Sequence, residues 1–468
     1  MSTTGTRGAP RAGSVERISA GDALQLATDV GPVPMNIGAV LTLGPGTTVS
    51  DVVRTLQRRA GTIRRLRQVL VRPPPGLGRP YWTDAAAFDA RSHVTTQDGL
   101  GPGEVDMDAL LAIAVDAVTR PLTRALPLWR AVVLGRQDGQ AVAVVVVLHH
   151  VLTDGIGGLT VLDQLVDGDG PATRAPGASR GARPGIPDLL SDRLRELARS
   201  VWGVRSTLSS MRQGGAELGP RRGRRAPTIS LNRPTGHRRR ISAVTVDVKS
   251  VHAAARKNGA TVNDAVLVAV TGAMAEVLRM RGEHVRELVV SVPVSARART
   301  TVGELGNQVG VMPVRVPLSG SATERLEAVA RLTRVQKTRT RGASAALIGP
   351  AFRLVAATGL FTRFINRQRL VNSFLTNLPG PRRELTLAGA PIRGIVPVTT
   401  TAGNVGVSFA ALSYAGSLTV VAMTDPDVVP ELGLIVTSLR RELRALVAEV
   451  AVPGDAERDR ESRGDQGP

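Results

Sequence analysis

Apolar residues recur along this chain at two periods, and the switches between them outline its elements. Trp129 to Leu134 and Ala141 to Leu148 are rich in β-branched residues, and the Asp138-Gly139 pair between them is a hairpin turn signal. The second run is apolar on both faces, which predicts a central strand buried on both sides. Asn36 to Leu43 reads as a shorter strand. Val49 to Gln68 and Met107 to Thr119 place apolar residues on one helical face. Past residue 240 the pattern resumes with strand Ser242 to Val248, helix Asn263 to Arg281, strands Leu288 to Val294 and Gly310 to Pro317, and helix Ala322 to Arg341. A hairpin of Val405 to Ala411 and Gly416 to Thr424 turns around Tyr414 to Gly416, and helix Val429 to Val450 closes the pattern.

Between these regions the composition changes. Gly168 to Gly185 is Gly, Pro, Ala, Ser and Arg, which is linker chemistry. After it, Leu190, Leu194, Leu197, Val201, Val204 and Leu208 recur at spacings of four and three, with Arg193, Arg195, Arg199 and Arg205 between them. That spacing predicts a basic amphipathic helix over Leu189 to Leu208, suited to lying in a membrane interface or to packing on the protein's own core. The chain therefore divides into a tail (1–17), a first half (18–167), a basic linker with its helix (168–240), a second half (241–452) and a closing tail (453–468). The fold class is α/β, in two halves.

At 468 residues, with 42% hydrophobic residues, the chain has ample material for a core. Its longest unbroken apolar run, Ala141 to Leu148, is less than half of the ~20 residues that span a bilayer. Residues 1–21 lack the apolar stretch of a signal peptide, so the expected compartment is the cytoplasm. The formal charge is +21, but all except three of the 60 cations are arginine, and 16 arginines fall between Arg174 and Arg240 against four acids. The basic character is thus local. Aromatics make up 2%, too few for base-stacking platforms, and no nucleic-acid reading module is recognisable, so nucleic acid is not an expected partner. The absence of cysteine removes thiolate metal sites and cysteine nucleophiles.

The chemistry concentrates in His149-His150-Val151-Leu152-Thr153-Asp154-Gly155, directly after the buried run and before a helix opened by Ile156-Gly157-Gly158. Adjacent histidines at a strand end should point to opposite faces, so that one enters a cleft. Histidine, with an ordinary pKa of ~6.5, is the natural general base near neutrality. Asp154 suits holding the loop, and the glycines allow close backbone approach. The bland alternative is a pair of core histidines. No third ligand at useful spacing accompanies the motif, so no metal is expected.

Taken together, several segments resemble the bacterial bifunctional wax ester synthase/diacylglycerol acyltransferases, within the larger group of CoA-dependent acyltransferases similar to chloramphenicol acetyltransferase and peptide-synthetase condensation domains. HHxxxDG carries the resemblance to the larger group. The narrower one rests on Ile18 to Ala23 with Pro34-Met35-Asn36-Ile37-Gly38, on Pro127-Leu128-Trp129, on Asn263-Asp264-Ala265-Val266-Leu267, on Val292-Pro293-Val294-Ser295-Ala296-Arg297, on Gly306-Asn307-Gln308, and on Thr376 to Pro381 as the SNVPGP-like loop. Asn36 stands where the family usually has His, Asp29 lies near its usual glutamate, and Thr376 replaces the usual Ser.

The resemblance implies two chloramphenicol acetyltransferase-like halves joined by the basic crossover, with the active site between them. It implies transfer from acyl-CoA, a co-substrate with no other cofactor, to diacylglycerol or a long-chain alcohol. His150 would be the general base, with His149, Asp154 and Gly155 supporting it. Asn263 and Asp264 are either part of the site or a helix start with Asn as cap. Substrates that reside in bilayers or droplets imply a peripheral seat on the inner membrane face or on lipid droplets. An acyltransferase of the same fold using another acceptor or a carrier-bound donor is the alternative, and a non-enzymatic binder of anionic surfaces or nucleic acid a remote one.

Overall fold

A computed structural model describes residues 15–100, 106–168, 183–198, 225–295, 309–339 and 360–448. Much of the expected basic crossover, the Gly306-Asn307-Gln308 segment, Ala296 and Arg297, and the distal half of the Leu189 to Leu208 helix lie outside the described residues.

Two six-stranded sheets form the body. The first runs in the order Thr386–Leu387, Ala390–Val398, Asn36–Leu43, Ala141–His149, Trp129–Arg136, Val94–Leu100. The second runs Val309–Pro317, Glu287–Ser295, Ser373–Pro379, Val407–Tyr414, Ser417–Thr424, Arg240–Asp247. A small third sheet joins Glu16–Arg17, Tyr81–Asp84 and Gln68–Val71. The chain is thus a mixed α/β protein with two sheet-containing halves.

Ala141–His149 is buried at all nine positions, because each face meets a different core. Val144, Val146 and Leu148 enter the core of the first half, with Leu56, Trp129 and Leu162. Val145 and Val147 enter a seam core shared between the halves, where helix Met107–Thr119 supplies Leu110, Ala114 and Val118, and the second sheet supplies Ile241, Val421 and Met423. Each fully buried Val contributes roughly 1.5–3 kcal/mol relative to exposure, so this valine ladder is a principal joint of the molecule. The second half has its own core around helix Val262–Met280, which is buried along most of its length.

The halves also exchange chain. Ala390–Val398 pairs antiparallel with Asn36–Leu43, Val396 opposite Val40 and Val398 opposite Gly38, so that with Thr386–Leu387 it forms an excursion into the first sheet between Ser373–Pro379 and Val407–Tyr414 of the second. The loop returning from this excursion is fixed by Arg239 and Asp425, both fully buried: Arg239 Nη2 donates to Thr401 O at 3.0 Å, and Asp425 accepts the Gly236 N–H.

Three expected elements differ. The helix from Val49 stops at Thr62, because Ile63 turns extended to bury its side chain and a 3-10 turn, Arg64–Arg67, buries Leu66 before a strand starts at Gln68. The segment expected as a loop at Thr376 to Pro381 begins as a strand, Ser373–Pro379, held in parallel register by Val407–Tyr414. Pro379 falls at its last position, where a missing N–H costs least. The histidines do not take opposite faces of a strand: His149 ends the strand and His150 begins the turn.

Candidate active site

The turn after Ala141–His149 is built by backbone bonds from three directions. His149 N–H donates to Leu128 O at 3.0 Å, His150 N–H to Met35 O at 2.8 Å, and Leu152 N–H to His149 O at 2.9 Å. The Leu128 carbonyl is held in turn by its neighbour Trp129, whose indole N–H reaches Leu66 O at 2.8 Å while the ring stacks on His93 at 4.7 Å. Pro127-Leu128-Trp129 therefore acts as a brace for the strand exit.

His149 is buried, and both its ring nitrogens are engaged. Nδ1 faces the Val151 N–H at 3.0 Å and so must accept. The ring proton therefore sits on Nε2, which donates to Asp29 Oδ2 at 3.1 Å. Asp29 also accepts the Met35 N–H at 3.0 Å on Oδ1 and meets Arg124 at 3.2 Å on Oδ2. Burial pushes the Asp29 carboxyl up, but the His149 bond, the Met35 N–H and the Arg124 charge outweigh it and hold the group below the ordinary carboxylate range.

Asp154 is the N-cap of helix Gly155–Leu165, its Oδ1 accepting the Gly157 N–H at 2.9 Å and its carbonyl the Gly158 N–H at 2.8 Å. Gly155 is where the second half touches the motif: a Cβ there would stand 2.9 Å from Leu378 Cδ2, on the strand end of the Thr376 to Pro381 segment. Asn36 pairs with His149 across the sheet, fully buried, and its amide donates to Val118 O and Arg120 O, closing the end of helix Met107–Thr119.

Asn263 and Asp264 open helix Val262–Met280, but the cap is Thr261 rather than Asn263. Thr261 Oγ1 accepts the Asp264 N–H at 3.3 Å, and Asp264 Oδ2 accepts the Thr261 N–H at 2.9 Å, a reciprocal capping box. The other Asp264 oxygen takes Thr333 Oγ1 at 2.9 Å from helix Ala322–Arg339. This aspartate thus ties two helices of the second half together. Among the described residues, no group of three or more His, Asp or Glu is placed to hold a metal ion.

A family model for the wax ester synthase/diacylglycerol acyltransferase catalytic domain matches residues 18–266, and one for the WS/DGAT C-terminal domain matches 305–447. The chain belongs to this family. It is an acyltransferase. The probable diacylglycerol O-acyltransferase tgs1 of Mycobacterium tuberculosis H37Rv is 30% identical over 451 residues, covering 89% of this chain and 92% of the relative. Among solved structures, the wax ester synthase/diacylglycerol acyltransferase from Marinobacter aquaeolei VT8 superposes with a TM-score of 0.65 at 21% identity, covering 93% of this chain and 100% of that one. The first condensation domain of the calcium-dependent antibiotic synthetase, in complex with a substrate analogue, gives 0.63 at 17% identity over 95% and 98%. The starter condensation domain of rhizomide synthetase in complex with C8-CoA gives 0.61 at 15% over 94% and 95%. At these identities the structures establish the fold.

Asp29, the Met35 carbonyl and the Leu378 contact escape a reading of the motif alone. Asp29 lies 120 residues from its histidine, and only its place beside the family's usual glutamate singles it out.

Proposed function

We propose that this acyltransferase esterifies diacylglycerol or long-chain alcohols from acyl-CoA, with His150 as general base. The observation that carries the assignment is the commitment of His149: with Nδ1 and Nε2 given to Val151 and Asp29, His149 serves the architecture, and proton transfer falls to His150. His150 removes the hydroxyl proton as the alcohol oxygen attacks the thioester carbon. Fixed donors stabilise the tetrahedral oxyanion, the C–S bond breaks, and the departing CoA thiolate recovers the proton from the imidazolium. The mycobacterial relative's name supports diacylglycerol as acceptor, and the C8-CoA bound in a neighbour of the same fold supports CoA as carrier of the acyl group. Residues 18–167 and 241–452 act in this reading as two parts of one catalytic unit, since Ala390–Val398 completes the first sheet.

The test is the purified full-length protein with radiolabelled palmitoyl-CoA and a panel of acceptors resolved by lipid chromatography. Triacylglycerol or wax ester is expected. The condensation-domain neighbours favour a second reading, transfer from a carrier-bound thioester; product formed only with acyl-carrier protein, and none with acyl-CoA, would replace the first reading by the second.

The same substrates call for a seat on a lipid surface, which we assign to the helix over residues 186–198. Leu189 is buried, whereas Ile186, Leu190, Leu194 and Leu197 are 64%, 47%, 58% and 43% exposed and repeat at helical spacing. Two of its three acids reach the body, Asp192 pairing with Arg17 and Glu196 with Arg79, while exposed Asp188 accepts the Gly185 N–H at the helix start. An outward apolar stripe with the charges of Asp192 and Glu196 neutralised by arginines suits the interface of an anionic bilayer. Replacing Leu190, Leu194 and Leu197 by Ser should reduce flotation with phosphatidylglycerol vesicles. Unchanged flotation rejects this helix as the anchor. No single helix among the described residues is long and apolar enough to cross a membrane.

A further inference from the structure

We infer that Asp29 is a positioning residue for His150, acting through both of the peptide N–H groups that flank the His150 Cα. The inference rests on the assignment of His150 as base. A side chain's direction is set by the φ and ψ of its own residue, and each of these is pinned here by a bond on one side of the Cα. On the N-terminal side, the His150 N–H donates to Met35 O at 2.8 Å, and the Met35 N–H donates to Asp29 Oδ1 at 3.0 Å. On the C-terminal side, the Val151 N–H donates to His149 Nδ1 at 3.0 Å, and His149 Nε2 donates to Asp29 Oδ2 at 3.1 Å. One carboxylate closes both arms, one per oxygen.

The arrangement needs a carboxylate rather than any polar group. Both atoms facing Asp29 are donors, and an ionised carboxylate is acceptor at both oxygens. An amide offers one acceptor and one donor, so Asn at this position would oppose an N–H to an N–H. If the imidazole relieved that by moving its proton to Nδ1, it would then oppose the Val151 N–H. The clash is passed along the arm to the peptide next to His150. The strengthened carboxylate, held below its ordinary pKa range by these partners, keeps the required charge at all working pH values. Arg124, half exposed, closes the solvent side of Oδ2.

Positioning predicts an effect on turnover with little effect on substrate binding. Asp29→Asn should lower kcat by about 10- to 100-fold, the range that a misplacement on the order of 1 Å produces, with KM for acyl-CoA within about twofold. Asp29→Glu, which keeps two acceptors, should retain most of the activity. In ¹⁵N spectra of histidine-labelled protein, one imidazole should show the Nε2–H tautomer in the parent and lose that signature in Asp29→Asn. A double-mutant cycle of Asp29→Asn with His149→Gln should be far from multiplicative, since the two share an arm. Should Asp29→Asn fail to fold, His149→Gln alone tests the C-terminal arm by the same kcat and KM split. Asp29→Asn or His149→Gln with parental kcat, a change confined to KM, or multiplicative effects in the cycle would overturn the inference. A fully active His150→Ala would instead remove the assignment beneath it, so the two failures are distinguishable.

Discussion

Two polar motifs open helices in this protein, and they differ in how far their polar groups reach. After Ala141–His149, the polar groups of the turn reach out to Asp29, Met35 and Leu128, drawn from distant parts of the chain. At Thr261 to Asp264 they mostly bond to one another, with a single reach to Thr333. A helix start needs only the local kind, because its exposed N–H groups lie within three residues of the cap. A converging set of long-range bonds around the histidine pair goes well beyond what capping requires. If the proposed base is right, long-range convergence separates a site from a cap better than residue type does, since Asp154 and Asp264, both buried aspartates beside a helix start, are both accounted for by capping geometry.

The sharpest way to break this comparison is to remove the proposed base, His150, whose flanking peptides these bonds hold. His150→Ala should lower turnover by roughly 10²- to 10⁴-fold, the usual cost of a lost general base, while circular dichroism and melting stay close to the parent. A parental rate would return the whole motif to architecture.

How far the sequence carries this picture depends on the range of the interaction. The ladder from Ala141, the helices at Met107 and Val262 and the hairpin at Tyr414 to Gly416 were legible, since each is a periodic run whose burial is decided locally by residue type. Val94–Leu100 was not, because its residues VTTQDGL carry no strong alternation and it is a strand only through the edge of its neighbour Trp129–Arg136. Ala390–Val398, lying in sequence between two strands of the second sheet, pairs with Asn36–Leu43 about 350 positions away, and nothing in its own pattern names that partner. The site divides in the same way. The histidine pair and its aspartate are contiguous and readable, whereas Asp29 meets them only when distant segments of the first half fold together, and Leu378 only when the second half meets the first.

The next effect is on stability rather than rate. Asp264→Ala removes the tie to Thr333, whose hydroxyl keeps only the Ala330 carbonyl, and opens the capping box in a buried place, for which about 1–3 kcal/mol is ordinary, yet kcat measured well below the melting temperature should remain near parental. Asp154→Asn keeps one acceptor for the Gly157 N–H and should cost less, within the ~0.5–2 kcal/mol of a cap deletion, with more activity left than in His150→Ala. Chemical denaturation of both variants, paired with kcat, checks the two statements. A rate loss in Asp264→Ala matching that of His150→Ala would show that the second motif also reaches the chemistry, and the contrast drawn between them would fall.

The smallest effect separates the motif's charge from the core behind it. Asp29 is depressed, so its contribution is present above the ordinary carboxylate pKa of ~3.9 and is lost only as pH falls below it. Acid sensitivity at higher pH must then come from elsewhere, and His93 is placed to supply it. Its ring is buried on Trp129, and burial pushes its pKa below the ordinary ~6.5 in spite of the Trp129 carbonyl and Asp89. As pH falls through ~6.5 the unfolded chain takes up this proton first, so the stabilisation is full above that value and declines from there down to the folded pKa. The melting temperature should accordingly drop between pH 7.5 and 5, and His93→Gln should flatten that drop while Asp29→Glu leaves it unchanged. Because His93 braces Trp129, whose neighbour Leu128 receives the His149 N–H, the acid-weakened core lies directly behind the histidine turn. A melting profile in His93→Gln as steep as the parent's would detach this core from the acid response and leave the turn's support independent of it.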